Sequence, residues 1–348
     1  MAKKGRNHAR TTIALVESPA QLLNVIEWAH LQRAEAQTRL AVLPPRDAST
    51  RLQLEAMVDL AREAGLAATW YEPRKSAASL VAVAWELFPK LAKAERLVVG
   101  DPFSRFVQAV LPLADVGEVV VVDDGTATIS FVEQLTRGDR LSRWHLAERG
   151  RDVVVDLLSE HARDFFTPSE RDHRAIEVFT AMPVQAPSGV RQQLNTFAWT
   201  RERFGPPKVT DTVDVVGTSL VESGVVDPDR YLVGVAAVAE RFGAGRYFAH
   251  RRESDAKLAT IAARTGLAIV RPDVPLEIAV RRGPVSRLMV SYPSTVMHTL
   301  PLVLVDTPVE LAIADVPTAW LTPGAPVAAG DFLEHVTTTA RKRHAVLT

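Results

Sequence analysis

Four short polar clusters carry the residue types that acid–base and phosphate chemistry need. Asp123-Asp124-Gly125 sets two carboxylates before a glycine. Far along the chain follow His250-Arg251-Arg252-Glu253, Pro275-Leu276-Glu277 and Ser291-Tyr292-Pro293-Ser294-Thr295. Adjacent carboxylates can act as a general base, ligate a metal or accept hydrogen bonds from sugar hydroxyls. A histidine where a strand meets a helix can protonate a leaving group near neutral pH. Paired hydroxyls at a helix start, beside unbonded backbone amides, suit an anion. Glu277 can accept hydrogen bonds from a base or a ribose. Each cluster also has a plain structural reading. The aspartates can cap a strand–helix turn, the histidine can be structural, Ser294 and Thr295 can be N-caps, and Glu277 can be a first-turn carboxylate favoured by the helix dipole.

The elements around these clusters decide where they end up. Val119-Val120-Val121-Val122 has the pattern of a strand buried on both faces. Such a strand delivers Asp123 and Asp124 at its carboxyl end, where ligands of open α/β sheets bind, and Gly125 permits the sharp turn. The first half alternates throughout, with strands expected over 12–17, 39–43, 67–71, 96–99 and 118–122 and helices over 18–36, 50–64 and 76–92. Ser18 is a good N-cap for the first helix and Pro19 suits its first position. Alternation on this scale predicts a parallel, doubly wound sheet. From 136 to 207 the pattern loosens into charged stretches, and Pro187-Ser188-Gly189 and Gly205-Pro206-Pro207 flank an expected interdomain connector. Strands are expected again over 213–216, 246–249, 267–270, 287–291, 302–305 and 309–313, with helices over 227–241, 254–265, 275–280 and 294–300 and a helical pattern from Asp331 onward. The first of these strands ends in Gly217-Thr218-Ser219. The expected fold is α/β: two Rossmann-like doubly wound domains, over 10–205 and 206–348, facing a central cleft that gathers the strand ends.

Composition narrows the function classes. The 348 residues exceed what one core usually serves. Lys plus Arg equals Asp plus Glu at 41 each, which removes a global electrostatic case for nucleic acid. The absence of cysteine excludes disulfides, thiolate metal sites and a cysteine nucleophile, and fits a cytoplasmic protein. No stretch of about 18 apolar residues suggests a transmembrane helix. Met1–Arg10 is basic, and no signal-peptide pattern follows it. It reads as a solvated tail, with a weaker pull toward anionic lipid on the inner membrane face.

Taken in order, the clusters resemble the bacterial sialyltransferases with a two-domain GT-B fold, including the lipooligosaccharide and polysialic-acid types. Leu15-Val-Glu-Ser-Pro-Ala-Gln-Leu-Leu-Asn24 is similar to their first strand and helix, and Asp123-Asp124-Gly125 to their acidic motif. Tyr247-Phe-Ala-His250 with Arg251-Arg252-Glu253 is similar to their histidine motif, Pro275-Leu276-Glu277 to their downstream glutamate, and Tyr292-Pro-Ser-Thr295 to their paired-hydroxyl motif. The resemblance spans residues 12–305. It implies Asp123 as the base for the acceptor hydroxyl, with Asp124 positioning the acceptor or supporting the turn, and His250 as the acid that protonates or stabilises the departing phosphate. It places the donor at Gly217, Thr218, Arg251, Glu277, Ser294 and Thr295, and the acceptor or its supporting turn at Ser18, Gln21 and Gly125. The implied donor is CMP-sialic acid, the acceptor a glycan or glycolipid, and the reaction inverts the anomeric centre without a metal or other cofactor. One departure stands out: the family usually has proline after the histidine, where this chain has Arg251. Arginine there can add a phosphate contact or mark a different donor. Two alternatives use the same architecture: a transferase for another CMP- or UDP-linked sugar, and a non-catalytic nucleotide-sugar-binding protein.

Overall fold

Short apolar, valine-rich runs become the buried strands of two parallel sheets. The structure is a computed structural model that describes residues 11–143, 153–170, 173–325, 330, 333, 337–338 and 345–347. The basic segment 1–10 and most of the pattern from Asp331 onward lie outside the described residues. The chain divides into compact units, Met1–Asn195 and Thr196–Thr348.

In the first unit the order along the chain is β1 (Thr12–Val16), α1 (Pro19–Gln32), β2 (Thr38–Val42), α2 (Ala48–Glu63), β3 (Ala67–Trp70), α3 (Ala77–Leu91), β4 (Arg96–Val99), α4 (Arg105–Val110), β5 (Glu118–Val122), α5 (Thr126–Arg137), α6 (Val153–Phe166), β6 (Ala175–Thr180) and β7 (Val190–Leu194). The seven strands run parallel in the order β3-β2-β1-β4-β5-β6-β7. Strand order reverses between β1 and β4, which opens a crevice at their carboxyl ends. Val119 to Val122 are almost wholly shielded from water. Burial of each valine contributes roughly 1.5–3 kcal/mol, enough for this strand to carry a buried carboxylate at its end.

The second unit holds α7 (Ala198–Phe204), β8 (Val209–Val216), α8 (Pro228–Phe242), β9 (Arg246–Phe248), α9 (Asp255–Thr265), β10 (Ala268–Val270), α10 (Leu276–Arg282), β11 (Val285–Ser291), α11 (Val296–Val303), β12 (Glu310–Ala314) and β13 (Ala345–Leu347). Its strands are parallel in the order β10-β9-β8-β11-β12-β13, with the reversal between β8 and β11.

Three expectations change. The loose region 136–207 contains α6, β6, β7 and α7, so the expected connector is a strand followed by a helix. Its charges hid it: Glu177 of β6 is buried but pairs with Arg191 of β7 at 2.5 Å. Residues 302–305 form no strand, because α11 continues through Pro301 to Val303. The helices α4 and α5 were not expected. Among the described residues, no helix is long and apolar enough to cross a membrane.

Candidate functional site

Strand register builds the acidic end of the first sheet. Leu15 pairs with Val99, and Val99 with Val121, so Glu17, Asp101 and Asp123 follow at one level on β1, β4 and β5. Val122 pairs with Phe179, which puts Asp123 level with Thr180 at the end of β6. Asp123 is 2% exposed. Its Oδ1 accepts the Thr180 hydroxyl at 2.6 Å and its Oδ2 accepts the Ala181 N–H at 2.6 Å. Its carbonyl accepts from Asn24 Nδ2 at 3.0 Å, and Asn24 Oδ1 accepts from Asn195 at 2.8 Å. Burial pushes the Asp123 carboxyl up to about 6, against the lowering effect of the Thr180, Ala181 and Thr128 hydrogen bonds and with help from the Asp124 charge.

The carboxylate of Asp123 does not cap the following helix. Gly125 is the N-cap of α5, at φ 64° and ψ −124°, a conformation open in practice to glycine alone. Asp124 donates its backbone N–H to Thr128 Oγ1 at 3.0 Å. Its side chain, 17% exposed, accepts from Ser18 Oγ at 3.3 Å and lies 3.9 Å from Arg143. Ser18 also caps α1 through the Gln21 N–H. Gln21 is interior: its Oε1 accepts the Glu17 N–H at 2.7 Å, and a side chain at Gly100 would collide with it. Gln21 thus builds the turn.

Sequence reasoning missed several partners here. Arg143 reaches Asp101 at 2.5 Å, Arg74 reaches Glu17 at 2.8 Å, and Ser104 donates to Glu17 at 2.7 Å. Burial raises the Glu17 carboxyl even so. The strand register joining Glu17, Asp101 and Asp123 was the available signal; Thr180, Asn195 and Arg143 had none.

In the second unit, Val216 pairs with both Phe248 and Ser291, so Gly217-Thr218, Ala249-His250 and Tyr292 stand level at the carboxyl end. Glu253 ties this edge together from the interior. Its carboxylate accepts the Tyr247 hydroxyl at 2.7 Å and the His250 N–H at 2.7 Å, and pairs with Lys257 at 2.8 Å. Tyr247 meets Tyr231 at 2.9 Å, and Tyr231 accepts the Thr218 N–H at 3.3 Å. A Cβ at Gly217 would lie 2.3 Å from Glu253 Oε2. Tyr231, Lys257 and the part played by Glu253 were not foreseen.

His250 is partly buried, and its Nδ1 accepts the Arg252 N–H at 3.2 Å. The imidazole therefore carries its hydrogen on Nε2. Burial, then the charges of Arg251, Arg252 and Lys257, hold its pKa down to about 3. Ser294 and Thr295 make no side-chain cap at α11, although Thr295 is its N-cap residue; Ser294 Oγ lies 3.4 Å from Ser291 Oγ. Glu277 accepts the Thr299 hydroxyl at 2.6 Å, which joins α10 to α11. The Thr218 and Tyr292 hydroxyls are buried and lack a hydrogen-bond partner among the described residues. Among those residues no cluster of three or more His, Asp or Glu side chains is arranged to hold a metal.

Two solved structures share the two-sheet arrangement over nearly the whole chain. An alpha/beta-galactoside alpha-2,3-sialyltransferase from Photobacterium phosphoreum superposes with a TM-score of 0.53 at 10% identity, covering 96% of this chain and 97% of that one. A UDP-N-acetylglucosamine 2-epimerase, itself a provisional assignment, from Listeria monocytogenes gives a TM-score of 0.51 at 9% identity, covering 95% and 88%. The fold is of the GT-B kind. No protein-family model matches the chain, and no curated protein sequence matches it.

Proposed function

We propose that the protein is an inverting glycosyltransferase that transfers sialic acid from CMP-sialic acid to a hydroxyl of a glycan or glycolipid. The observation that carries this reading is Asp123: a carboxyl at a strand's carboxyl end, fixed in place, with its pKa raised to about 6. A base with that midpoint is ionised at neutral pH yet basic enough to take a hydroxyl proton. In the transfer the acceptor O–H bond breaks toward Asp123, the acceptor oxygen bonds to the anomeric carbon from the face opposite the phosphate, and the bond to phosphate breaks to release CMP. Glu17 and Asp101, with their arginine partners, supply hydrogen-bonding groups for the acceptor's other hydroxyls.

On the donor side His250 is neutral and offers Nε2–H to the phosphate. A negative phosphate beside it counters Arg251, Arg252 and Lys257, which raises its pKa toward the range of a general acid. The uncapped Ser294 and Thr295 and the unpartnered Thr218 hydroxyl are further donors to that phosphate or its nucleotide.

A second reading of the base rests on exposure. Asp123 is 2% exposed with both oxygens engaged, whereas the Asp124 side chain is 17% exposed. In that reading Asp124 meets the hydroxyl and Asp123 holds the turn. Separate Asp123→Asn and Asp124→Asn variants, assayed for transfer from CMP-sialic acid after a folding check, decide between them. The donor class is tested by thermal shift with CMP, UDP and GDP, since a ligand of the native state raises its apparent stability. Stabilisation by CMP supports the reading. Stabilisation by UDP alone removes sialyl transfer.

A further inference from the structure

We propose that Lys257 is a positioning residue for the donor: it closes a ring of hydrogen bonds that holds the Thr218 hydroxyl and the His250 imidazole ready for one phosphate. The proposal deepens the transfer reading of this site and rests on it. Lys257 stands where local preference would not put it. It is the third residue of α9, and Oγ of the N-cap Ser254 accepts its N–H at 3.2 Å. The helix dipole disfavours a cation in a first turn, and a capping box carries Glu or Gln at this position. The side chain is nevertheless only 14% exposed, with its ammonium 4.3 Å from the centre of the Tyr231 ring. Such breaks of local preference are expected at functional sites. The ammonium has three oxygen neighbours: Glu253 at 2.8 Å, Glu222 at 3.3 Å and the Thr218 carbonyl at 3.4 Å.

The backbone of Thr218 is thereby tied to Glu253 from both sides. Its N–H donates to the Tyr231 hydroxyl, which donates to Tyr247, which donates to Glu253. Its carbonyl accepts from Lys257, which pairs with the same carboxylate. Glu253 also accepts the His250 N–H, so one buried group anchors the loops after β8 and β9. What the ring leaves open is the Thr218 hydroxyl, which is buried and lacks a hydrogen-bond partner among the described residues. A buried hydroxyl without a partner is costly, and a phosphate oxygen supplies the missing acceptor. Lys257 also keeps the anchor charged. Burial raises the Glu253 carboxyl, and Lys257 is the largest influence opposing that rise. Without the ammonium, Glu253 takes up a proton more readily and becomes a weaker acceptor for the His250 N–H. The Thr218 carbonyl loses its donor in the same step. A buried ion pair adds little net stability over apolar packing, so what this one contributes is placement.

Titration calorimetry of the full chain with CMP tests this without turnover. Lys257→Met keeps the stem and removes the charge. It should bind CMP on the order of tenfold more weakly than the wild type, and Lys257→Arg should recover most of the loss. In transfer assays Lys257→Met should raise the KM for CMP-sialic acid and leave the KM for the acceptor unchanged. Loss of one partner of a buried ion pair can unfold a domain, so a second readout uses the wild type alone. In its crystal structure with CMP, the phosphate should accept from the Thr218 hydroxyl while Lys257 stays on Glu253 and the Thr218 carbonyl. A phosphate bonded to Lys257 itself, or one away from Thr218, overturns the proposal. So does a Lys257→Met protein that binds CMP as tightly as the wild type. A wild type that does not bind CMP is a separate failure: it removes the CMP reading of the site, and this proposal falls with it.

Discussion

Thr180 donates its hydroxyl hydrogen to Asp123 Oδ1 at 2.6 Å, joining the ends of β6 and β5 across 57 residues of chain. The bond favours the ionised carboxylate while burial favours the protonated one, and burial wins, leaving the midpoint near 6.

Stability should therefore fall as pH rises through this group. The folded midpoint, about 6, lies above the ordinary 3.8, so folding favours the protonated form and the cost of ionisation is complete above the folded value. The difference corresponds to about 3 kcal/mol. Urea midpoints measured across that window should decline for the wild type and flatten for Asp123→Asn. Transfer should rise with pH through the same region.

Thr180→Val keeps the shape and removes the donor. Loss of a hydrogen bond to a charged group should move the acidic limb of the pH–rate profile up by about one unit. The plateau rate at high pH should change less. A lowered plateau with an unmoved limb would make Thr180 a packing residue only.

Much of the first sheet could be read from the chain because β1 and β5 are buried on both faces and so appear as unbroken apolar runs. β6 and β7 could not. β6 carries Glu177 in its interior and β7 reads Val-Arg-Gln-Gln-Leu, and their charges are satisfied only by partners distant in sequence: Arg191 bridges Glu177 and Glu118. Thr180 and Asn195 stayed hidden with those strands. At residues 302–305, a short apolar run fits strand and helix equally, and tertiary packing chose the helix. The paired aspartates and His250 were visible as types; that Glu253 anchors the histidine turn required the fold.

Gly217→Ala should destabilise the second unit by about 3 kcal/mol, the upper range for overpacking. The added methyl would stand 2.3 Å from Glu253 Oε2 and 2.6 Å from the Tyr247 hydroxyl, both locked by hydrogen bonds. Chemical denaturation should show the loss.

His250 should remain neutral well below pH 6, titrating near 3 alone and higher with CMP bound. Imidazole chemical shifts followed by NMR, with and without CMP, measure both midpoints. An unchanged midpoint with CMP would separate His250 from the phosphate.

Chelation should leave transfer intact, because the proposed phosphate contacts are the His250, Ser294, Thr295 and Thr218 side chains. Assays with EDTA, then with added magnesium, check this; restoration by magnesium would place a metal in the reaction.

The Glu253 knot bears on how this protein can change over time. Gly217 must lack a side chain because Glu253 and Tyr247 occupy the space, and Glu253 in turn fixes the His250 backbone. These positions form a single unit of inheritance: a replacement at one costs stability that a matching replacement at another can restore. A mutagenesis library varying Gly217, Tyr247 and Glu253 together should recover its most stable variants as matched sets, while the same changes made singly lower stability.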